Sequence, residues 1–292
     1  MLAVANNIST RNKRVRQAVE ACNFKGRYSK EQSRIRNAYA QYIRWLAIEC
    51  VDAGADIIDI NVQSGYDNPA AMEFLVNSVQ EAVDSQLCLS AYNIDTLTAG
   101  LKACERRPVI NYISQSMEKM QDILSLAAQY NAEIILLLNE MADFRRQEDV
   151  LKTAYTMVEM ANEVGLSNDR IYIDPGIAHV TQETRQRYAE SLTAIIPALK
   201  QSFRSTVRTM CWIDNISVGA DIAIRRSLNT MFLTMMGGLG LTSAFVDVLD
   251  DVTMRTLRLI NSLSRRDVFG EVAVDTQAYV TRFTREHQLA TP

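Results

Sequence analysis

The chain has 292 residues, 48% of them hydrophobic and 22% charged, with a formal net charge of −3. These values are those of an ordinary globular protein, and 11 glycines and 5 prolines are too few for a collagen-like or low-complexity chain. No apolar run approaches the roughly 18 residues of a membrane-spanning helix, and the first residues lack the basic start of a secretory signal, so we expect a cytoplasmic protein.

Eight short apolar segments recur along the chain and predict β-strands. Each segment is nearly continuously apolar, without clean alternation, which is typical of parallel strands buried on both faces. In chain order they are 2–5, 57–60, 87–89, 109–110, 134–138, 171–173, 209–213 and 244–246.

Amphipathic helices are predicted between these strands, because apolar residues recur there at i, i+3 and i+4. The predicted helices are 31–53, 69–84, 94–104, 117–131, 147–165, 182–203, 220–238 and 250–264. Eight strand–helix repeats predict the α/β class and a single (β/α)8 TIM barrel over residues 1–265. A doubly wound sheet is disfavoured because the first turn, Asn6 to Ser9, contains no glycine. The polar tail, 266–292, is expected to pack on the barrel or at a dimer contact.

Cysteine and histidine usage excludes several kinds of site. The five cysteines lie far apart, which argues against CxxC redox motifs and zinc ribbons. His179 and His287 are the two histidines of the chain, too few for most histidine metal sites or catalytic triads. We therefore expect no bound metal, and we expect both tryptophans, Trp45 and Trp212, to lie in the core.

Positive charge is concentrated near the N-terminus, where residues 1–36 contain nine Lys or Arg and two Glu. One interpretation is a solvated face on two early helices. The other is a patch that includes Arg14 and Arg16 and attracts a small anionic ligand or an acidic protein. Nucleic acid is disfavoured as a partner because the whole chain is acidic and no aromatic residues interleave with the basic ones.

Polar residues follow the ends of most predicted strands, at the barrel face where TIM barrels carry their active sites. These residues are Asn6, Asn7, Asp59, Asn61, Ser90, Tyr92, Asn93, Asn111, Asn139, Glu140, Asp174, Asp214, Asn215, Ser217 and Asp247. Any one of them alone is more simply explained as a turn or helix-cap residue. Together, amides and carboxylates around a cavity suit a flat heterocycle with alternating hydrogen-bond donors and acceptors.

The chain resembles the methyltetrahydrofolate:corrinoid protein methyltransferases, within the pterin-binding barrel superfamily that includes dihydropteroate synthase. The resemblance covers about residues 40–260. The segments that carry it are 54–62, 87–89, 109–111, 172–175 and 214–217, then Arg225-x-x-x-Asn229-x-x-Phe232-Leu233 and 242–244.

The resemblance implies transfer of a methyl group between N5 of methyltetrahydrofolate and the cobalt of cobalamin, which a partner corrinoid protein carries. It implies that Asn215 is the catalytic residue, hydrogen-bonded to the N5 region. The implied substrate-binding residues are Asn111 and Asp174 on the pterin ring, Asp59 and Asn61 on the cavity floor, and Ser90, Asn93, Ser217 and Arg225. A homodimer is also implied, and neither nucleic acid nor a membrane is expected as a partner.

Two positions depart from the family pattern. Family members usually have Asp directly after the Leu-Cys-Leu run, where this chain has Ser90, and often Gly-Glu in the first strand, where it has Ala5-Asn6. Loss of one charge-assisted hydrogen bond would weaken ligand binding roughly ten- to a hundredfold.

Three interpretations of these departures remain open. In the first, Tyr92 or a water replaces the hydrogen bonds of the missing Asp, and the chain is an ordinary methyltransferase. In the second, the pocket binds a different pterin or methyl donor. In the third, the chain is a non-catalytic binding or scaffold subunit. Dihydropteroate synthase itself is disfavoured, because Asp214 to Ser217 stands where a Lys-x-x-Arg motif would follow strand seven.

Overall fold

The computed structural model describes residues 1–22, 29–63, 65–112, 117–138, 147–177, 185–204 and 206–264. Eight parallel strands of these residues close into a barrel in chain order. They are β1 (Leu2–Ser9), β2 (Ile57–Asn61), β3 (Gln86–Ala91), β4 (Val109–Tyr112), β5 (Glu133–Leu137), β6 (Ile171–Asp174), β7 (Arg208–Trp212) and β8 (Ser243–Val246). The predicted (β/α)8 TIM barrel is confirmed, and each predicted strand lies where the sequence places it. The tail 266–292 lies outside the described residues, so its packing stays a prediction.

The described residues form nine α-helices around the barrel. They are α1 (Lys13–Cys22), α2 (Lys30–Asp52), α3 (Pro69–Gln80), α4 (Ile94–Ala103), α5 (Met117–Gln129), α6 (Gln147–Glu163), α7 (Arg185–Ser202), α8 (Ile222–Leu239) and α9 (Asp251–Ser264). Helix α1 falls outside the predicted ranges, and the other eight match them closely. In this part of the chain no helix is long and apolar enough to cross a bilayer.

Several helix starts follow capping chemistry. Ser29 and Gln32 form a capping box at the start of α2, because each side chain accepts a hydrogen bond from the other residue's backbone N–H. Asn68 caps α3 directly before Pro69, and Asp221 caps α8 through the backbone N–H of Ala223. These caps fix where each helix leaves the barrel mouth.

Trp45 is not a core residue, contrary to expectation, because it is 50% exposed on the outer face of α2. The buried residues of α2 include Ile43 and Ala47, which lie two positions to either side of Trp45. At about 100° per residue, two positions turn a side chain to the opposite face of a helix. The periodicity of α2 therefore separates Trp45 from the core, although its ring contacts that of Tyr42 at 5.8 Å.

A closely packed apolar cluster fills the middle of the barrel. Each strand contributes one side chain to it, and each of these is at most 5% exposed. The eight are Val4, Ile57, Cys88, Val109, Ile135, Tyr172, Met210 and Phe245. The barrel is therefore a filled core and not a pore.

The amino-terminal end of the barrel is held by a buried carboxylate that joins three strands. The Tyr172 hydroxyl donates to Oε2 of Glu133 at 2.8 Å, and Nη1 of Arg208 donates to the same oxygen at 3.0 Å. The Arg208 guanidinium also lies over the Tyr172 ring, 5.0 Å from its centroid. Polar groups at this end of a TIM barrel serve stability, so we assign this triad no part in ligand binding.

Candidate active site

Polar side chains line the barrel interior on the carboxyl-terminal side of the apolar cluster. The strand register places Asp59 of β2, Asn111 of β4 and Asp174 of β6 in one interior layer, which Phe245 of β8 completes. Asp59 is fully buried, and Asn111 and Asp174 are 4% and 3% exposed. The structure thus brings together three residues that the sequence predicts separately as pocket residues.

Ser90 links Asp59 to Asn111. Its hydroxyl donates to Oδ1 of Asp59 at 2.5 Å, and its oxygen accepts a hydrogen bond from Nδ2 of Asn111 at 2.8 Å. Ser90 has no exposed surface, so solvent does not compete for these bonds. An aspartate at position 90 would place a second carboxylate against Asp59, and serine avoids that repulsion.

Burial governs the protonation of the two pocket carboxyl groups. It raises the pKa of Asp59 to about 7, although the hydrogen bond from Ser90, the neighbouring polar groups of Cys88 and Asn61 and the charge of Arg11 lower that pKa. Burial also raises the pKa of Asp174 to about 7, opposed by the backbone N–H of Gly176, which donates to Oδ1 at 2.7 Å. A ligand that donates hydrogen bonds to these groups would favour their ionised forms.

Two buried acceptor atoms of β2 have no hydrogen-bond partner among the described residues, Oδ2 of Asp59 and Oδ1 of Asn61. An unpaired buried acceptor costs about 1–3 kcal/mol, and few are found in native proteins. Both atoms therefore point to a ligand that brings N–H or amino donors into the barrel.

The turn after β7 is built around the carboxylate of Asp214. Its Oδ2 accepts a hydrogen bond from Nδ2 of Asn6 at 2.7 Å, and its Oδ1 accepts from Nδ2 of Asn229 at 3.0 Å. The Ser217 hydroxyl donates to the Asp214 backbone carbonyl at 3.1 Å. Burial raises the pKa of Asp214, while the Asn6 hydrogen bond lowers it. Sequence reasoning missed this Asn6–Asp214 pair, although both residues were recognised at strand ends.

Asn215 stands in the same turn with its amide available. Its side chain is half-buried and makes no hydrogen bond within the described residues. The neighbouring bonds of Asp214 and Ser217 hold the turn that carries it. A fixed backbone with an uncommitted amide is the arrangement that ligand binding at Asn215 requires.

Two other predicted site residues make local structural contacts. Oδ1 of Asn93 accepts the backbone N–H of Asp95 at 2.8 Å and caps α4. Nε of Arg225, an exposed residue of α8, donates to the carbonyl of Ala220 at 2.9 Å. Their roles in substrate binding stay predictions, and Asn139, Glu140 and His179 lie outside the described residues.

Arg11 is a residue of this site that sequence reasoning did not single out. It follows β1, and its guanidinium lies over the Trp212 ring, 6.0 Å from the centroid. Trp212 in turn stacks on Phe245, with the ring centroids 4.1 Å apart and the planes at 15°. Arg11 also lowers the pKa values of Asp59 and Asp214, so its positive charge acts at the barrel mouth. The concentration of positive charge in the N-terminal segment was the sequence feature that could have indicated Arg11.

Comparison with known proteins decides the family. The sequence profile described as pterin binding enzyme matches residues 19–247, which is most of the chain. The chain belongs to the pterin binding enzyme family. The predicted superfamily is thereby confirmed, and the pocket residues from Asp59 to Asn229 lie within the matched residues.

Several relatives within the pterin binding enzyme family have established names. A methylcorrinoid:tetrahydrofolate methyltransferase from Eubacterium limosum is 26% identical over 210 residues, covering 70% of this chain and 76% of that protein. The methionine synthase of Mycobacterium leprae is 26% identical over 204 residues, which are 66% of this chain and 17% of that protein. A dihydropteroate synthase from Clostridium beijerinckii is 26% identical over 140 residues, covering 44% of this chain and 51% of that protein.

A solved structure shares the barrel fold. It is a crystal structure of dihydropteroate synthase from Clostridium difficile in the presence of pteroic acid, with a TM-score of 0.63 and 16% identity. The match covers 91% of this chain and 97% of that one. It shows that the described barrel shares the fold of that structure.

The Ser90 link gives a stability prediction for this family member. The substitution Ser90→Ala is expected to lower the free energy of unfolding by about 1–3 kcal/mol, because it removes a partner from both Asp59 and Asn111. Urea denaturation measures this effect. The control is Ser125→Ala on the outer face of α5, where an exposed hydroxyl bonds the Gln121 carbonyl, and its change should be small. Equal effects of the two substitutions would contradict the buried link.

Proposed function

We propose that this chain transfers a methyl group between N5 of methyltetrahydrofolate and the cobalt of a corrinoid protein. The observation that supports this most directly is the pair of unpartnered buried acceptors, Oδ2 of Asp59 and Oδ1 of Asn61. A reduced pterin carries an amino group and ring N–H groups, which are the donors these atoms lack. The named relative from Eubacterium limosum uses tetrahydrofolate and a methylcorrinoid.

The pocket would hold the ring mainly through acceptors. Nδ2 of Asn111 is bonded to Ser90, which leaves the amide oxygen of Asn111 for the ligand. The Asp174 carboxylate accepts a backbone N–H at Oδ1 and has further acceptor sites for two neighbouring donors. Asp59, Asn111 and Asp174 come from three alternate strands, so the barrel fixes their spacing before the ligand arrives.

Methyl transfer breaks the N5–CH3 bond and forms a Co–CH3 bond, and the bonding electron pair stays on N5. N5 is a poor leaving group unless it is protonated, so it must take up a proton from solvent and carry positive charge in the reaction. The Asn215 amide would bond N5 and stabilise that charge, and the Asp214 carboxylate, fixed by Asn6 and Asn229, adds negative potential beside it. The cobalt is a substrate carried by a separate protein. The barrel contributes positioning and polarisation, which need no cysteine or histidine nucleophile.

An assay of methyl transfer from methyltetrahydrofolate to cob(I)alamin tests this function. We expect wild-type protein to form methylcobalamin and Asn215→Ala to lower kcat about a hundredfold, because one hydrogen bond to developing charge is lost. The dissociation constant for the folate should change little. The control is Asn77→Ala, an exposed residue on the outer face of α3.

The outcomes separate the interpretations left open by the sequence. Folate binding without methyl transfer would contradict the proposed reaction and favour a different methyl donor or a binding subunit. No folate binding at all would overturn both the reaction and the assigned pocket. We further propose, from the family resemblance alone, a cytoplasmic homodimer.

Dihydropteroate synthase is the second candidate, because proteins of that name are among the relatives. The turn after β7 disfavours it, since Asp214 and Asn215 stand where a basic motif for an anionic leaving group would be needed. Condensation of a dihydropterin diphosphate with p-aminobenzoate is therefore expected to be absent. Formation of dihydropteroate at a rate above the uncatalysed reaction would reverse this choice.

A further inference from the structure

Three arginines on the β1 side of the barrel mouth, which we call the basic rim, are held against aromatic rings. The Arg11 guanidinium lies 6.0 Å from the Trp212 ring centroid. The Arg14 and Arg16 guanidinium groups lie 5.4 Å and 5.9 Å from the ring centroids of Tyr42 and Tyr66. Cation–π contacts orient these cations without neutralising their charge.

No salt bridge among the described residues neutralises the basic rim. Within the described part of the chain, none of Arg11, Arg14 and Arg16 forms an ion pair, whereas Arg44, Arg208 and Arg226 each do. Arg14 and Arg16 also lie near the start of α1, whose first turn contains no acidic residue. Positive charge there opposes the helix dipole. Residues that work against local stability in this way commonly serve a ligand.

The basic rim is continuous with the pterin pocket. Arg11 contacts Trp212, Trp212 stacks on Phe245, and Phe245 belongs to the interior layer of Asp59, Asn111 and Asp174. Tyr66 follows β2, and α1 follows β1, so the rim lies at the carboxyl-terminal end of both strands. A substituent on a pterin bound in this layer must leave through the same mouth.

We propose that the basic rim binds the carboxylates of the glutamate tail of folate and prefers tails of several γ-linked glutamates. This inference rests on the proposed function, because the pterin ring fixes where the tail begins. Arg11 stands over Trp212, whose ring stacks on Phe245 of the interior layer, so a chain that begins at a ring bound in this layer passes the Arg11 charge first. Each added glutamate brings one more carboxylate past guanidinium groups that form no ion pair among the described residues.

Calorimetric titration of the full chain with three ligands tests the proposal: methyltetrahydropteroate without glutamate, the monoglutamate and the triglutamate. We expect wild-type protein to bind the triglutamate about tenfold more tightly than the monoglutamate at low salt, with the advantage shrinking as salt is added. The double variant Arg14→Gln/Arg16→Gln should lose this advantage and keep its affinity for the pteroate. The variant Arg14→Lys/Arg16→Lys should retain most of it, because the charge remains.

The control is Arg106→Gln, which removes a positive charge near the amino-terminal end of β4, where Arg106 pairs with Asp84. This variant should keep the full triglutamate advantage. Equal wild-type affinity for the monoglutamate and the triglutamate would overturn the proposed tail-binding role of the basic rim. The same holds if the Arg14→Gln/Arg16→Gln variant still binds the triglutamate more tightly than the monoglutamate. Failure of all three ligands to bind wild-type protein would instead overturn the proposed function.

Discussion

Replacing Asp174 with Asn is expected to weaken the binding of methyltetrahydrofolate about a hundredfold or more. The carboxylate is 3% exposed and accepts one backbone N–H at Oδ1, which leaves further acceptor sites for the donors of the proposed ligand. Substitution removes its charge and turns one acceptor oxygen into a donor, which loses about two charge-assisted hydrogen bonds of 1.5–3 kcal/mol each. Calorimetric titration with methyltetrahydrofolate measures the change in dissociation constant.

The matched control for this experiment is Asp122→Asn, an exposed residue on the outer face of α5. It removes the same charge from the protein at a distance from the mouth and should leave the affinity unchanged. An Asp174→Asn protein that binds as tightly as wild type would place the pterin elsewhere and would remove the basis for the assigned pocket.

The ligand-free protein is expected to lose stability as pH rises from about 4 to about 7 through its two pocket carboxyl groups. Burial raises the pKa values of Asp59 and Asp174 from 3.8 to about 7. Between these values the folded state binds more protons than the unfolded state, so the free energy of unfolding falls with rising pH. The stabilisation is fully present below the unfolded pKa and is lost as pH passes the folded pKa, at a cost of about 2–4 kcal/mol for each group.

Urea unfolding across about pH 4.5 to 8 tests this linkage by comparing wild-type protein with the double variant Asp59→Asn/Asp174→Asn. The variant is expected to be the more stable protein at the high end of this range and to show a flatter pH dependence. The difference between the two curves isolates these two carboxyl groups from all others. Parallel curves would show that neither group carries the shifted pKa.

The expected effects of substituting Asp174 on ligand binding and on stability have opposite signs, which is typical of residues kept for function. Substitution of Asp174 should damage ligand binding and improve the stability of the ligand-free protein at neutral pH. A ligand whose hydrogen-bond donors stabilise the ionised carboxylates would offset the stability that the ligand-free protein loses when these groups ionise. Folate should therefore raise the melting temperature of wild-type protein more than that of the Asp174→Asn variant.

The barrel was predictable from the sequence because its signals are local. Each strand is a short apolar run, and each helix repeats apolar residues along one face, so neither needs knowledge of distant contacts. Asp59, Asn111 and Asp174 were predictable for the same reason, since each ends a strand and all strands end at one face.

The connections between those residues were not predictable. The bonds of Ser90 to Asp59 and Asn111 depend on the register between β2, β3 and β4, which apolar patterning does not give. The sequence therefore showed that Asp is missing at position 90, but it did not show that Ser90 bonds both Asp59 and Asn111. The prediction that Trp45 is buried was wrong for a different reason. It relied on the residue type, although the helical periodicity already places Trp45 on the face opposite to Ile43 and Ala47.

Among the described residues, the filled interior and the Glu133–Tyr172–Arg208 closure block the amino-terminal end of the barrel, so a ligand reaches the polar layer from the carboxyl-terminal mouth. A ligand held against Asp59 and Asp174 lies deeper than anything that docks at the mouth. If a carrier protein then covers the mouth, the folate must enter first and leave last. Steady-state kinetics should accordingly be sequential and ordered, and an excess of the carrier should trap the demethylated folate inside.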